Sequence, residues 1–205
     1  MEKLDLKKQF KHLYNPSAKD VSDVDVPSMA FLMIDGQGDP NTSPEYALAI
    51  ETLYAVSYTL KFAVKKSGGP DFTVGPLEGL WWVDDMRLFS VEDKGAWKWT
   101  AMIAQPDFIT ASLVEAAKID VERKKGPLSL PLLRCEAYHE GVSVQIMHIG
   151  PYSAEGPAIA RLHEYIAQQG GALSGKHHEI YLGDPRRTAP EKPKTVIRQP
   201  FRMGK

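Results

Sequence analysis

The apolar run Met29-Ala30-Phe31-Leu32-Met33-Ile34 predicts a buried strand, stopped by the turn-forming stretch Asp35-Gly36-Gln37-Gly38-Asp39-Pro40. Ser43-Pro44 then opens a helix, with a serine suited to the N-cap and a proline suited to the first turn. Its apolar stripe runs Tyr46, Ile50, Leu53, Ser57, Leu60, Val64, and Lys65-Lys66 followed by Gly68-Gly69 close it. Strands are expected near 72–75, 79–86 and 97–104, and a second helix over 107–124, ended by Lys124-Lys125-Gly126-Pro127. Residues 133–139 and 142–149 read as a hairpin turning at Glu140-Gly141. Gly150-Pro151-Tyr152-Ser153 leads into a helix with apolar positions Ile159, Leu162, Tyr165 and Ile166, ended by Gly170-Gly171. Strands over 179–183 and 195–198 complete the pattern.

This order repeats itself. Glu78-Gly79-Leu80-Trp81-Trp82 and Glu179-Ile180-Tyr181 each follow a glycine-rich break after a helical run, and each precedes a strand ending in Gln-Pro, at Gln105-Pro106 and Gln199-Pro200. Matching Gly36 with Gly150, Leu80 with Ile180 and Gln105 with Gln199 gives offsets of 114, 100 and 94 residues, the second copy being shorter in its helix and loops. The predicted class is α+β: two βαββ-like units with pseudo-two-fold symmetry, an antiparallel sheet with helices on one face, and a ligand cleft between the units. The half-units are residues 29–106 and 142–201, with 107–141 as a helix and linker, inside one domain of residues 28–205. Residues 1–27 are polar, alternate Val with Asp or Ser near their end, and read as an arm lying extended across that domain.

Composition narrows the function. The 205 residues are 43% hydrophobic and 25% charged, ordinary values for a globular protein, and the net charge of −1 gives no electrostatic case for nucleic-acid binding. A single cysteine, Cys135, excludes an internal disulfide and a cysteine-based zinc site, and its setting suits a half-buried strand position rather than a nucleophile. No apolar run reaches the ~18 residues of a membrane span, and Met1-Glu2-Lys3-Leu4-Asp5 is too charged for a signal-peptide core, so a cytoplasmic location is expected. A small-molecule partner is expected, with neither nucleic acid nor membrane, in a monomer or homodimer.

The candidate chemistry gathers around Glu179. On a strand, residues two apart share a face, so His177, Glu179 and Tyr181 project together, with His178 and Ile180 on the other side. Adjacent histidines on opposite faces do not bind one metal, and His139, His148 and His163 lack ligand spacing, so no metal is expected. All four tryptophans fall within residues 81–99. An aromatic wall of Trp81, Trp99, Tyr152 and Tyr58 beside a carboxylate suits planar and cationic ligands, through stacking and cation–π attraction. Gly79 should leave room beside Trp81 for a flat ligand, while Trp82 should face the helices as core. Facing aromatic rings, Glu179 should have a raised pKa, toward the range of a working base. Asp35-Gly36-Gln37-Gly38 lacks the third glycine of a dinucleotide fingerprint and reads as a strand-to-helix turn. The proline-rich stretch 184–194 reads as a solvated connector.

Ile149-Gly150-Pro151-Tyr152, then Glu179-Ile180-Tyr181-Leu182-Gly183-Asp184-Pro185 and the terminal strand, resemble the GyrI-like small-molecule-binding fold over roughly residues 28–201. Asn15-Pro16-Ser17-Ala18-Lys19, Val24-Asp25-Val26-Pro27, Gly36-Gln37-Gly38-Asp39-Pro40-Asn41 and Trp81-Trp82 resemble a stand-alone subgroup of that family without a DNA-binding domain. The resemblance implies two units around a cleft whose acidic residue is Glu179. It also implies hydrolysis of strained cyclopropane-bearing genotoxins, with Glu, Tyr and Trp side chains in the cleft. The expected enzyme is thus a hydrolase that uses Glu179 and Tyr181 and needs neither metal nor organic cofactor. Two other functions fit the same sequence: a non-enzymatic sponge for hydrophobic cationic drugs, and a protein-interaction module acting on a DNA-handling enzyme.

Overall fold

In the computed structural model, which describes residues 3–84, 94–183 and 192–204, two short helices α1 (Leu6–Gln9) and α2 (Lys11–Tyr14) precede two successive strand–helix–strand runs. The first run is β1 (Ser22–Gln37), α3 (Pro44–Lys66), β2 (Leu77–Trp82) and β3 (Lys98–Gln105), followed by α4 (Ala111–Lys125). The second is β4 (Arg134–Ile149), α5 (Gly156–Gln168), β5 (Gly171–Leu173), β6 (His177–Tyr181) and β7 (Lys194–Met203). The class is α+β with an antiparallel sheet, as the sequence predicts. α3 forms where expected and for the expected reasons: Ser43 Oγ accepts from the Tyr46 amide at 3.1 Å, Pro44 opens the first turn, and Lys65 and Lys66 close the last.

Among the described residues the strand order is β4-β1-β3-β2-β6-β7-β5, and β4 also pairs with β7. Six antiparallel strands therefore close into a ring. Closure depends on β1 and β4, each 16 residues long, which cross from one half of the molecule to the other. Ser143, Val144 and Gln145 of β4 pair with β1 on one side and β7 on the other.

This corrects the predicted hairpin at Glu140-Gly141. β4 runs straight through, with Gly141 at φ +73°, a conformation glycine tolerates without strain. Gly141 lies opposite Val26, beside Pro27, which has no amide hydrogen to give the ladder. The glycine marks a place in the sheet, not a reversal. The strand expected over 72–75 forms only an isolated bridge from Phe72 to Leu4, and β2 stops at Trp82, with residues 85 and 86 outside the described part.

α3, α4 and α5 cover the outside of the ring. Leu32, Ile34, Trp81, Trp99 and Ile103 pack under Leu53, Val56 and Leu60 of α3, and Val144, Ile146 and Ile197 pack under Leu162 and Ile166 of α5. α3 has the length and mean hydropathy, 1.2, of a membrane span. It nonetheless carries Glu45, Glu51 and Lys61, and its Leu53–Val56–Leu60 face is fully covered by the sheet, so it is a core helix here.

The inside of the ring holds Phe31, Met33, Leu80, Met102, Ile180 and Val196, closed off by Leu6, Leu13 and Tyr14 from the N-terminal arm. The arm is thus part of the core, not a strap across the surface, and residues 22–27 are already β1. Leu6, Phe10, Leu13 and Tyr14 form a helical apolar stripe, hidden in the sequence among Lys7, Lys8 and Lys11.

Candidate functional site

β2 and β6 are antiparallel neighbours at the centre of the ring, with Gly79 opposite Glu179 and Leu77 opposite Tyr181. Alternation sends His177, Glu179 and Tyr181 to the helix-covered face, beside Gly79 and Trp81. The predicted grouping on β6 is therefore what the strand delivers. A Cβ on Gly79 would stand 2.8 Å from Trp81 Nε1 and 2.9 Å from its Cε2. The indole lies flat across the glycine, so the space expected to receive a ligand is occupied by Trp81 itself. From there Trp81 Nε1 donates to Tyr181 Oη at 3.1 Å, and Tyr181 Oη donates to Glu179 Oε2 at 2.6 Å. His177 Nε2 lies 3.2 Å from the other carboxylate oxygen and acts as its donor.

The Glu179 side chain is 12% exposed. Burial alone raises its pKa, but the bonds from His177 and Tyr181, with the charge of Lys94, hold it below the ordinary carboxylate value. This reverses the expectation of a raised pKa: the rings that dry the site also supply a phenol hydrogen that stabilises the anion. Burial, then the Glu179 charge, lifts Tyr181 well above the usual phenol range.

The surrounding rings fall into two sets. Tyr46 of α3 packs on Trp81 at 5.5 Å and edge-on to Trp99 at 4.9 Å, and Trp97 meets Trp81 at 5.4 Å. Tyr152, in the turn before α5, meets Tyr181 edge-on at 5.4 Å and is 39% exposed, the outermost ring of the group. Trp99 lies one layer back, buried against Tyr46 and over Gly36, where a Cβ would stand 2.2 Å from its ring. Tyr58 is not brought to the carboxylate. It stacks between Tyr54 and Phe62 on the solvent side of α3 and is 48% exposed.

Trp82 also departs from expectation. It points to the inner face, half-buried, with Lys176 Nζ 3.4 Å above its ring, while Trp81, 2% exposed, is the one under the helices. Trp81→Ala should therefore cost ~3–5 kcal/mol of stability and Trp82→Ala roughly 1–2 kcal/mol, the scale of a cation–π contact with some lost packing. Thermal unfolding of both variants tests this, and a larger loss at Trp82 would overturn the assigned facing. In the same way, Gly79→Ala should push the indole off the strand, break its bond to Tyr181 and cost ~1–3 kcal/mol through overpacking. An unchanged near-ultraviolet circular dichroism spectrum in that variant would contradict the close fit.

One functional candidate has no sequence motif to mark it. Glu155 occupies the N-cap of α5 but makes no capping bond; its side chain turns inward and is 4% exposed. Burial, then the Glu179 charge, raises its pKa to about 9, with Thr195 and Lys94 offsetting part of the rise. Thr195 pairs with Tyr181 across β6 and β7, which places its hydroxyl on the same face. The only hint in the sequence is a glutamate where helix starts favour Ser, Thr, Asp or Asn. The site thus contains two carboxyl groups in opposite states, one held ionised and one held neutral.

A second polar cluster lies on the inner face of the same strands. His178 Nε2 is 3.0 Å from Glu78 Oε2, and its Nδ1 is 3.0 Å from both oxygens of Glu140. Arg198 donates to Glu140 at 3.0 Å and to the Leu13 carbonyl at 2.7 Å, while Tyr14 Oη donates to Glu78 at 2.9 Å. The four charged groups balance, and they fasten the arm to the floor beneath the site. No group of three or more His, Cys, Asp or Glu side chains among the described residues is arranged to hold a metal ion.

Comparison with known proteins agrees with this architecture. The sequence pattern of the GyrI-like small molecule binding domain matches residues 19–202. An uncharacterized conserved protein from Listeria innocua is 40% identical with a TM-score of 0.91, covering 98% of this chain and 100% of that one. A hydrolase from Listeria innocua is 39% identical with a TM-score of 0.88 over the same shares. The EcmrR C-terminal domain shares the fold alone, at 11% identity and a TM-score of 0.56, covering 90% of this chain and 98% of that one. No curated protein matches the chain. A pattern that runs from the arm to the last strand, on a fold whose two halves meet at Gly79 and Glu179, makes this chain a member of the GyrI-like small-molecule-binding domain family.

Proposed function

We propose that this protein binds planar aromatic or cationic molecules against Glu179 and hydrolyses strained cyclopropane-bearing electrophiles, protecting the cell that makes it. The observation that carries the reading is the buried, ionised Glu179 fixed between His177 and Tyr181 inside a wall of Trp81, Tyr46 and Tyr152. The hydrolase from Listeria innocua, with 39% identity over nearly the whole chain, supports an enzyme of this general kind.

In a cyclopropane fused to a dienone, attack of water on the ring CH₂ opens a carbon–carbon bond, and its electron pair aromatises the ring system. Glu179 orients the water and takes its proton, and the aromatic wall excludes bulk solvent. Positioned acid–base help of ~10²–10⁴ in rate suffices for a strained electrophile. Entry requires Tyr152, the outermost ring, to swing aside. Incubation with a spirocyclopropyl dienone tests the proposal: product one water heavier, formed in many equivalents per protein, is expected. A second reading, a sequestering protein for cationic drugs, is favoured by the lowered pKa of Glu179, which makes it a better counter-charge than base. Saturation at one ligand per site with no product would select that reading.

A further inference from the structure

We propose that Glu155 is the acid of this site: a neutral carboxyl group that gives its proton to the ligand oxygen on which negative charge develops, opposite Glu179. The inference rests on the hydrolytic reading above and adds a residue to it. Its geometric basis is the inward turn of a side chain from a position where it could serve the helix. At φ −75° and ψ −19°, Glu155 already has helical backbone geometry, and its carboxyl makes no bond to the free amides of the first turn of α5. Among the described residues, Glu155 Oε1 is buried with no hydrogen-bond partner; Thr195 Oγ1 lies near enough to the carboxyl to favour its ionised form but makes no bond of ordinary geometry. Buried polar atoms are nearly always paired, so an open carboxyl oxygen on the face of Tyr181, with a hydroxyl beside it, marks a place for a polar group of a ligand.

Tyr181 is poorly placed for this task. Its hydrogen is committed to Glu179 at 2.6 Å, and it already accepts from Trp81. Trp99 Nε1 is also buried and unpaired, but it lies behind Tyr46. Among the described residues, the ionisable groups acting on Glu155 are Glu179 and Tyr181 of β6 and Lys94 before β3. Burial, and then the Glu179 anion, keeps Glu155 protonated, while His177 and Tyr181 keep Glu179 ionised, the arrangement by which two acids divide one reaction.

The step balances. Water oxygen bonds to the cyclopropane CH₂ as the ring carbon–carbon bond breaks, and that electron pair passes through the dienone to its oxygen. The water proton goes to Glu179 and the Glu155 proton to the new phenol oxygen. Between turnovers the proton on Glu179 returns to Glu155. No oxidant or reductant is needed.

The test compares wild type with Glu155→Gln, using the spirocyclopropyl dienone and measuring turnover, its pH profile and the infrared carbonyl band of a protonated carboxyl. Wild-type kcat should fall above pH of about 9 as Glu155 ionises. Glu155→Gln should lower kcat at least ~10²-fold and abolish that alkaline limb, with the infrared band at neutral pH gone. Unchanged kcat with the same alkaline limb overturns the proposal. If wild type gives no product, the hydrolytic reading fails, and the infrared band decides Glu155 separately. A band that shifts when the dienone binds keeps the donor role; no band, or an unshifted one, ends it. Should Glu155→Gln not fold, the wild-type band and its shift decide the matter in the same way.

Discussion

Replacing Glu179 with glutamine should lower turnover of a cyclopropane-bearing dienone at least ~10²-fold, the usual consequence of losing a positioned base. Affinity for a neutral planar ligand should change little, because the rings that would stack on it remain. Affinity for a cation should fall at least ~10-fold, or about 1.4 kcal/mol, since the buried negative charge is lost. The substitution is not silent structurally. Tyr181 and His177 both donate to the carboxylate, and an amide offers one accepting atom and one donating atom. One of the two bonds is lost, at ~1–3 kcal/mol of stability for a buried group. Because Glu179 stays ionised below the ordinary carboxylate range, the wild-type rate should hold steady from neutral pH down to about 4.5. Product analysis at several pH values, with unfolding curves as control, checks each part. Equal turnover in both proteins would assign Glu179 to binding or to the fold.

The elements legible in the sequence are those whose causes are local. α3 is bounded by a serine, a proline and two lysines that act within one turn, and alternation on β6 groups His177, Glu179 and Tyr181 without help from the rest of the molecule. Alternation also says that Trp81 and Trp82 part company, but not which of them the helices cover. That depends on closure of the ring, set by pairing between strands more than a hundred residues apart. Gly79 illustrates the same limit: a missing side chain reads as empty space until the indole that fills it is known. Glu140-Gly141 carries the composition of a turn, yet serves a continuous strand whose glutamate faces inward to His178 and Arg198. Burial without donors puts Glu179 in the wrong state, and the donors that reverse it, Tyr181 and His177, lie two residues away on the same strand. Glu155 belongs to no motif and no periodicity, and only the packing of α5 against β4 and β7 gives it a role.

A loss of stability as large as that of Trp81→Ala should come from Glu140, although it lies on the face away from the site. Glu140→Ala leaves Arg198 and the doubly bonded His178 with a buried positive excess, and removing one partner from such a group typically costs ~3–5 kcal/mol. Burial by itself would lower the His178 pKa, but Glu140 and Glu78 raise it to about 9. Burial likewise would raise that of Glu140, but His178 and Arg198 bring it to about 2. The signs follow from linkage. A raised histidine pKa gives stability that is complete below its unfolded value, ~6.5, and is lost as pH rises through about 9. A depressed glutamate pKa gives stability present above ~4.5 that is lost as pH falls toward about 2. The two describe one coupled interaction and do not add. The contribution of this cluster should be greatest near pH ~4.5–6.5 and decline on both sides, and Glu140→Ala should be less stable with that dependence flattened. The same variant weakens the anchor of the arm, because Arg198, which holds the Leu13 carbonyl, loses its carboxylate. Amides of α1 and α2 should then exchange hydrogen faster than those of β3. Denaturant unfolding across pH and hydrogen exchange measure both consequences. A stability difference between wild type and Glu140→Ala that stays level from pH ~6.5 to 9 would mean that His178 is not held as the imidazolium, and the charge balance beneath the site would have to be redrawn.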